Sequence, residues 1–299
     1  MNLRQMEFVL AVAKEGSFTR AARTCHTVQS ALSHQVAKLE EELGATLFER
    51  TSRHVRLTPA GEAFVRQAQV ALEATRRIPE EVAAVTGQVR GHLSLGAISA
   101  LGSIDIVALI ADFHARHAQV EIQLSQAGSE SLLEQVRDRR LDIALVGLWQ
   151  NERLPDGIEY RHLAQERLVA LLPLKHPLAS RKHLKLEHLA TLPLVDYPRS
   201  SSARLQTDKA FSAAGVPQQV RFEVNHLDLI VQFVSRGLAT GLIPESVAAQ
   251  LTEVASVVIE DAPQRVLYAV WQKNPSPAAS VFVASLRKLL PEDPALPCV

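Results

Sequence analysis

The spacing of apolar and polar positions between residues 27 and 44 predicts an amphipathic helix. When the chain turns about 100° per residue, Leu32, Val36, Leu39 and Leu43 fall on one stripe, which we expect to be buried. The face half a turn away carries small or polar side chains, namely Ser30, Ser33, His34, Ala37 and Glu41. Because the first two turns of that face lack bulky aliphatic groups, the face is suited to entering a DNA groove.

A shorter helix precedes this segment. Ser17 is a typical N-cap, and the small side chains of Ala21 and Ala22 allow two helices to approach closely. A break from His26 to Gln29 then leads into the longer helix. The arrangement predicts a helix-turn-helix, whose second helix enters the major groove by its N-terminal end.

Two further elements complete the first part of the chain. Residues 2–15 place apolar side chains on one face and predict a supporting first helix. Gly44 is a helix stop, and residues 46–58 predict a small β-wing whose polar tip holds Arg53 and His54. Such a tip is placed to contact phosphate or the minor groove.

A long helix is predicted from Pro59, with Thr58 as its cap. Its apolar positions alternate at spacings of four and three: Phe64, Ala68, Ala71, Thr75, Ile78, Val82 and Val85. This repeat is typical of a coiled-coil seam, so we expect a dimerising linker helix. The alternative is that the stripe packs on the following domain of the same chain. Pro79 predicts a kink or a restart between Ile78 and Glu80.

After a predicted hinge at residues 88–92, strands alternate with helices. The first set has strands at 93–97, 120–124 and 142–148 and helices at 104–117 and 129–139. The second set covers 168–172, 184–190, 194–196, 203–214, 220–224, 227–236 and 239–243. A last strand at 266–271 and a helix at 278–290 are expected to return to the first set. This alternation predicts two α/β lobes with parallel sheets, lobe I at 91–162 and 266–299 and lobe II at 163–265.

The first sixty residues closely resemble the DNA-binding domain of LysR-type transcriptional regulators. The matching segments are Ser17-Phe18-Thr19, Ala21-Ala22, Gln29-Ser30-Ala31-Leu32-Ser33, Leu39-Glu40-Glu41-Glu42-Leu43-Gly44, Leu47-Phe48-Glu49-Arg50 and Leu57-Thr58-Pro59-Ala60-Gly61. The chain departs from the family at Thr27-Val28, where an apolar residue usually precedes Ser or Thr, and at His34, where Arg is common. A weaker resemblance extends over Leu141-Asp142-Ile143-Ala144, Gly215 and residues 234–244.

The resemblance implies an α/β protein with an N-terminal all-α winged helix-turn-helix. The implied domains are a DNA-binding domain at 1–58, a linker helix at 59–88 and an effector domain at 89–299, similar to periplasmic binding proteins. We expect four residues to read bases: Gln29, Ser30, Ser33 and His34. We expect contacts to the DNA backbone or minor groove from Thr27, Lys38, Arg50, Arg53 and Arg56. The implied partners are dyad-symmetric promoter DNA, a second copy in a dimer and tetramer, and RNA polymerase.

A ligand in an open α/β sheet lies beyond the carboxyl ends of the strands, against helix N-termini that favour anions. Short polar segments in that position predict a site for a small carboxylate-bearing inducer. They are Ser99, Ala100, Leu101 and Gly102; Gly128 and Ser129; Arg199, Ser200, Ser201, Ser202 and Arg204; and Asn225 with His226. Trp149 is a candidate apolar wall. The alternatives are that the serines are helix caps, that Trp149 is a core or interface residue and that Arg199 is solvated. The resemblance implies that Ser99, Gly128 and Ser129 line the inducer cleft.

Charge and cysteine content bear on the predicted DNA binding and on redox sensing. Lysine and arginine number 32, as do aspartate and glutamate, so the whole chain gives no electrostatic argument for nucleic acid. Residues 1–58 hold eight Lys or Arg against six Glu, so we expect affinity to require two half-sites bound together. The two cysteines, Cys25 and Cys298, imply no disulfide framework. Peroxide-sensing members of the family use cysteines in the effector domain. No cysteine lies between Cys25 and Cys298 in this chain, so we do not expect redox sensing by that route.

No motif indicates a membrane span, a signal peptide, a cofactor or a catalytic nucleophile, so we expect a cytoplasmic protein that is not an enzyme. The histidine pairs at 114 and 117 and at 183 and 188 lack acidic or cysteine partners for a metal. Two rival functions remain. One is a ligand-binding or catalytic α/β protein that uses the helix-turn-helix for protein contact. The other is a constitutive DNA-bending protein without a ligand.

Overall fold

The computed structural model describes residues 1–50, 55–102, 104–149, 152–199, 201–260, 262 and 264–289. The chain divides into two compact units, Met1–Gln88 and Val89–Val299. Arg53, the rest of the wing tip and Ser200 lie outside the described residues.

The first unit is a winged helix-turn-helix followed by a long helix. Its elements are α1 (Leu3–Glu15), α2 (Phe18–Thr24), α3 (Gln29–Leu43), β1 (Phe48–Arg50), β2 (Val55–Leu57) and α4 (Pro59–Val85). The side chain of Ser17 accepts a hydrogen bond from the Arg20 N–H, at 3.4 Å, and so caps α2 as predicted. Gly44 ends α3 in the left-handed conformation with φ 62°, and β1 pairs antiparallel with β2.

The apolar stripe of α3 is largely buried, as its spacing predicts. Leu32, Val36 and Leu39 are 0% exposed and pack with α1, α2 and the wing in one cluster. Leu43 is 42% exposed, so the prediction that it is buried was wrong. It is the last residue of α3 and lies past the buried cluster.

Helix α4 is continuous over 27 residues with Pro79 inside it. The predicted restart at Pro79 is therefore wrong: the helix continues even though proline cannot donate one backbone hydrogen bond. A bend at this point stays a prediction. The apolar residues near the end of α4 are exposed: Ile78 is 59% accessible, Val82 62% and Val85 89%.

The second unit is a two-lobed α/β fold. In chain order its elements are β3 (Gly91–Ala97), α5 (Ile106–Arg116), β4 (Val120–Gln126), α6 (Ser129–Arg137), β5 (Ile143–Trp149), β6 (Ile158–Pro173), β7 (His183–Leu184), β8 (Pro193–Asp196), α7 (Ser202–Ala213), β9 (Gln219–Glu223), α8 (Leu227–Ser235), β10 (Gly241–Pro244), α9 (Glu245–Ala248), β11 (Val254–Ile259), β12 (Gln264–Gln272) and α10 (Pro277–Leu289). Two short 3₁₀ turns, Pro177–Ser180 and Leu186–Leu189, lie before β8.

One sheet links the two lobes through β6. The strands run in the order β4-β3-β5-β12-β6-β11-β7, and β10 also pairs with β6. The first part of β6 pairs with β12, whereas its last residues pair with β10 and β11. The parallel arrangement predicted for β3, β4 and β5 is confirmed, but β10, β11 and β12 are antiparallel to β6.

Three parts of the second unit differ from the sequence-based expectation. The first half of β6 and the whole of β11 were not predicted as strands. The segment 184–190, expected to be regular, is the end of β7 and a 3₁₀ turn. The expected return of the last helix is confirmed, because Phe282 of α10 packs edge-on against Phe113 of α5 at 5.3 Å within the lobe I core.

Candidate DNA-binding face and effector cleft

The polar face of α3 lies open in the first unit. Gln29, Ser30, His34 and Lys38 are exposed, and Thr27 and Ser33 are half-buried. The N-cap residue is Val28, whose side chain makes no capping hydrogen bond, so the first N–H groups of α3 have no N-cap side chain bound to them. An open helix N-terminus with short polar side chains is suited to phosphate and base edges.

Hydrogen bonds fix α3 to the wing. One carboxylate oxygen of Glu40 accepts from the backbone N–H groups of Leu47, at 2.7 Å, and Phe48, at 3.2 Å. The Thr58 hydroxyl donates to the carbonyl of Thr46 at 2.7 Å, which holds the return strand beside the start of the wing. Gly61 is required there, because a Cβ atom would overlap the carbonyl oxygen of Leu47.

The described part of the wing carries two of the predicted DNA contacts. Arg56 is exposed on β2 and lies opposite Glu49 of β1. Arg50 is in β1 opposite Val55. These positions and α3 belong to one compact unit, whereas the predicted contact at Arg53 lies outside the described residues.

A cavity of about 470 Å³ separates the lobes of the second unit. It brings together predicted residues from all four polar segments: Ser99, Ala100, Gly128, Ser129, Ser201, Ser202, Asn225 and His226. The N-terminal ends of α6, α7 and α8 therefore meet at one cleft, as the strand-end rule predicts.

The serines at these helix ends have defined roles. Ser201 accepts from the Arg204 N–H at 3.2 Å and caps α7, which matches the alternative of a plain cap. Ser129 is buried and ties α6 to β5: its hydroxyl donates to the Gly147 carbonyl at 3.0 Å and accepts from the Gly147 N–H at 3.1 Å. No side chain caps α6, which begins after Gly128, or α8, which begins after His226. Those two helix ends are suited to an anionic group of a ligand.

Several residues predicted to bind the effector do not line this cavity. Leu101 packs in the lobe I core, and Gly102 lies against the side chains of Glu166 and Ser246. Trp149 packs against a lobe II core cluster, in line with the alternative of a core role, and the Lys209 ammonium lies 5.8 Å from its ring centroid.

The two predicted arginines also lie elsewhere. The Arg199 side chain is 83% exposed, as expected of a solvated residue. Arg204 is buried, but its guanidinium is surrounded by carboxylates: Nε is 2.7 Å from Asp208 and Nη1 is 3.3 Å from Glu223. Because these acids already use the charge of Arg204, it is not available to a carboxylate ligand.

Sequence reasoning missed several residues on the cleft wall, including Asp196, Tyr197, Gln206, Thr207 and Arg265. Asp196 ends strand β8, so the same strand-end rule would have found it. Arg265 lies within strand β12, where no local signal marks a binding residue. The Tyr197 hydroxyl faces Ser99, and burial raises the pKa of Tyr197 while the Ser99 contact partly opposes that shift.

Arg265 and Glu166 form a buried ion pair at the cleft. Nε and Nη2 of Arg265 donate to Oε2 of Glu166 at 2.9 and 2.6 Å, and both side chains are 7% exposed. Nη2 also donates to the carbonyl of Ala100 at 2.6 Å, and Ser246 donates to the other Glu166 oxygen. Burial lowers the pKa of Arg265, and the Glu166 carboxylate opposes that shift. This pair links the lobe I loop at Ala100 to α9 of lobe II.

Asp196 is the second buried ionisable group of the wall. Burial raises its pKa to about 7, although the Tyr197 N–H, the Thr207 hydroxyl and the charge of Arg204 act in the opposite direction. Among the described residues, no group of three or more His, Cys, Asp or Glu is arranged to hold a metal ion. No helix in the described ranges is long and apolar enough to cross a membrane.

A winged helix-turn-helix with an open recognition face, followed by a two-lobed domain with a ligand-sized cleft, defines a ligand-responsive DNA-binding regulator. Comparisons with known proteins identify the family. Residues 3–62 match "Bacterial regulatory helix-turn-helix protein, lysR family", and residues 86–291 match "LysR substrate binding domain". The chain belongs to the LysR family of transcriptional regulators, whose members are not enzymes.

Individual relatives agree with this placement. The chain is 34% identical over 259 residues to the transcriptional dual regulator GltC of Bacillus subtilis, covering 87% of this chain and 86% of that protein. A full-length cysteine-to-aspartate variant of OxyR from Pseudomonas aeruginosa superposes with a TM-score of 0.75 at 28% identity, covering 99% of both chains. Full-length CbnR complexed with its target DNA has a TM-score of 0.70 at 25% identity, covering 96% and 99%. The predicted fold class and family are therefore confirmed.

Proposed function

We propose that α3 reads promoter DNA through its exposed face. Base contacts come from Gln29, Ser30, Ser33 and His34, and contacts to the backbone or minor groove from Thr27, Lys38, Arg50, Arg53 and Arg56. The observation that carries this proposal is that the polar face of α3 stays open to solvent while its apolar face is buried. The solved complex of CbnR with its target DNA supports a DNA target for this fold.

The proposed binding form is a dimer held by α4. The exposed Ile78, Val82 and Val85 follow the four-three repeat, which supports a seam against a second copy. Residues 1–58 then bind DNA, residues 59–88 link and dimerise, and residues 89–299 sense the effector. Two such dimers form a tetramer on a dyad-symmetric site, in the cytoplasm, where RNA polymerase is a further partner.

The effector is proposed to be a small carboxylate-bearing molecule in the cleft. The uncapped N-termini of α6 and α8 and the guanidinium of Arg265 support an anion there. Such a ligand contacts both lobes, so it binds unequally to states that differ in lobe placement and shifts the geometry of the oligomer on DNA.

A gel shift on the region upstream of the chain's own gene tests DNA reading. Ser33→Ala is expected to weaken specific binding about tenfold, because a lost base contact costs roughly 1–3 kcal/mol. Ser235→Ala changes an exposed serine of the second unit and serves as the matched control. Unchanged affinity of Ser33→Ala would remove the recognition role of this face.

A thermal-shift screen against small carboxylic acids tests the effector cleft. An effector at 100 times its Kd is expected to stabilise the second unit by about 2.7 kcal/mol. Ser99→Val should remove that shift, whereas Ser180→Val, at an exposed 3₁₀ turn, should keep it. A shift that survives Ser99→Val would locate the effector outside the cleft.

A further inference from the structure

Asp196 is a buried acid whose nearest cation, Arg204, lies beyond hydrogen-bond distance. Its side chain is 5% exposed on the cleft wall, and its Oδ1 accepts from the Tyr197 N–H at 2.7 Å. The nearest guanidinium nitrogen, Arg204 Nε, lies 3.9 Å from Oδ2. That distance is beyond a hydrogen bond, so among the described residues the Asp196 carboxyl group has no cationic hydrogen-bond donor, although the Thr207 hydroxyl also hydrogen-bonds to it.

The charge of Arg204 is already shared. Its Nε lies 2.7 Å from Asp208 and its Nη1 lies 3.3 Å from Glu223. The exposed Arg199 Nε also lies 3.9 Å from Glu223, so two guanidiniums serve three carboxylates. The cluster therefore has excess negative charge when Asp196 ionises. Burial raises the pKa of Asp196 to about 7, so part of the Asp196 population is protonated at neutral pH. A cation placed in the cleft beside it would stabilise the ionised form.

Groups of opposite character lie on the same cleft. Nε and Nη2 of Arg265 donate to Glu166 and Ala100. Its Nη1 lies beside Gly147 of the cavity wall, within van der Waals reach of where a Cβ atom at that position would be. The uncapped N-termini of α6 and α8 face the same space. Glu130, which also lines the cleft, is exposed to solvent. One cleft thus offers a buried acid and a separate set of anion-binding groups.

We propose that the effector is a small zwitterion of the α-amino acid class, with its ammonium group on Asp196 and its carboxylate at the N-termini of α6 and α8 near Arg265. This inference rests on the proposed function, because it specifies the effector class of the same cleft. The ammonium ion holds Asp196 in its ionised form, so binding near pH 7 releases a fraction of a proton to the buffer.

The test begins with a thermal-shift panel of the protein L-amino acids on the full-length chain. At least one is expected to stabilise the protein, and its matched 2-oxo acid, which lacks the amino group, is expected to bind at least tenfold more weakly. Asp196→Asn should weaken binding of that amino acid at least tenfold. Asp208→Asn changes an acid of the same cluster that does not line the cleft, and it should retain affinity within about threefold.

Calorimetry of the wild-type protein in two buffers of different ionisation enthalpy gives a readout that needs no variant to fold. Net proton release at pH 7 supports the inference. Net proton uptake, equal binding of the 2-oxo acid, or the absence of any stabilising amino acid would overturn it. A gel shift on the upstream DNA separates the two levels: if wild-type protein binds DNA but no amino acid, the zwitterion is wrong and the regulator stands.

Discussion

Replacing Glu166 with Gln should destabilise the second unit more than any change at its surface ion pairs. Glutamine keeps the shape of the side chain and one acceptor oxygen but removes the charge that neutralises Arg265. Both partners are 7% exposed, so water does not replace the lost carboxylate. The guanidinium is left as a buried charge without a counterion.

The magnitude follows from that burial. Removing one partner of a buried ion pair costs about 3–5 kcal/mol. With a urea m value of about 3 kcal/mol per M for a unit of this size, the unfolding midpoint should fall by roughly 1 to 1.7 M. Adding Arg265→Met removes the unpaired charge, so the double variant should be more stable than Glu166→Gln alone.

Tryptophan fluorescence isolates the unit that changes. The chain has two tryptophans, Trp149 and Trp271, and both belong to the second unit. Trp271 is buried, and its indole N–H donates to Glu159 at 3.0 Å, so its emission reports on the folded sheet. Urea titration of the full-length chain at this signal therefore measures the effector domain without interference from the DNA-binding unit.

The matched control is Glu245→Gln. Glu245 pairs with Arg167 at 2.6 Å, but the two side chains are 45% and 46% exposed. Solvent screening limits the loss to less than about 1 kcal/mol. Equal midpoints for Glu166→Gln and Glu245→Gln would refute the claim that the buried pair holds the lobes at the cleft.

Three further predictions use other parts of the molecule. Gly61→Ala should destabilise the first unit by about 1–3 kcal/mol, since its Cβ would overlap the Leu47 carbonyl; hydrogen exchange in α3 should rise while the tryptophan transition stays unchanged. Val82→Glu should convert dimers to monomers in sedimentation experiments, whereas Arg66→Glu, an exposed polar site on α4, should not. Because the folded pKa of Asp196 is raised from 3.8 to about 7, its proton stabilises the fold at low pH, and that contribution is lost as pH rises toward 8. The free energy of unfolding of wild type relative to Asp196→Asn, measured by urea titration, should therefore fall by on the order of 4 kcal/mol between pH 4 and pH 8. A difference that stays constant with pH would contradict the raised pKa.

The elements with strong local periodicity were predictable from the sequence. Helix α3 combines an apolar stripe with a glycine stop, and both features are local. The first half of β6 was not predictable in this way, because Ile158–Pro173 mixes polar and apolar residues without alternation in its early part. It forms a strand because β12 pairs with it from more than one hundred residues away.

The cleft residues divide in the same way, into those that local sequence predicts and those that depend on distant parts of the chain. Ser99, Ser129 and Asn225 follow strands, so the rule that ligands bind beyond the carboxyl ends of strands predicted that they share one site. All three line the cavity. Arg204 was predicted to bind an anion, but Glu223 from a separate strand takes part of its charge. Arg265 gave no local signal at all, since its role depends on Glu166, which lies 99 residues earlier in the chain.

The salt dependence of DNA affinity tests the central claim most directly. The wild-type protein, Lys38→Ala and Lys14→Ala would be titrated with the upstream duplex between 50 and 200 mM salt. Both lysines are exposed, but Lys38 lies on α3 and Lys14 on α1. The account predicts that wild-type affinity falls with salt and that Lys38→Ala reduces the slope by about two for the proposed dimer, while Lys14→Ala leaves it unchanged. A wild-type affinity independent of salt, or equal slopes for the two variants, would contradict the assignment of α3 to duplex DNA.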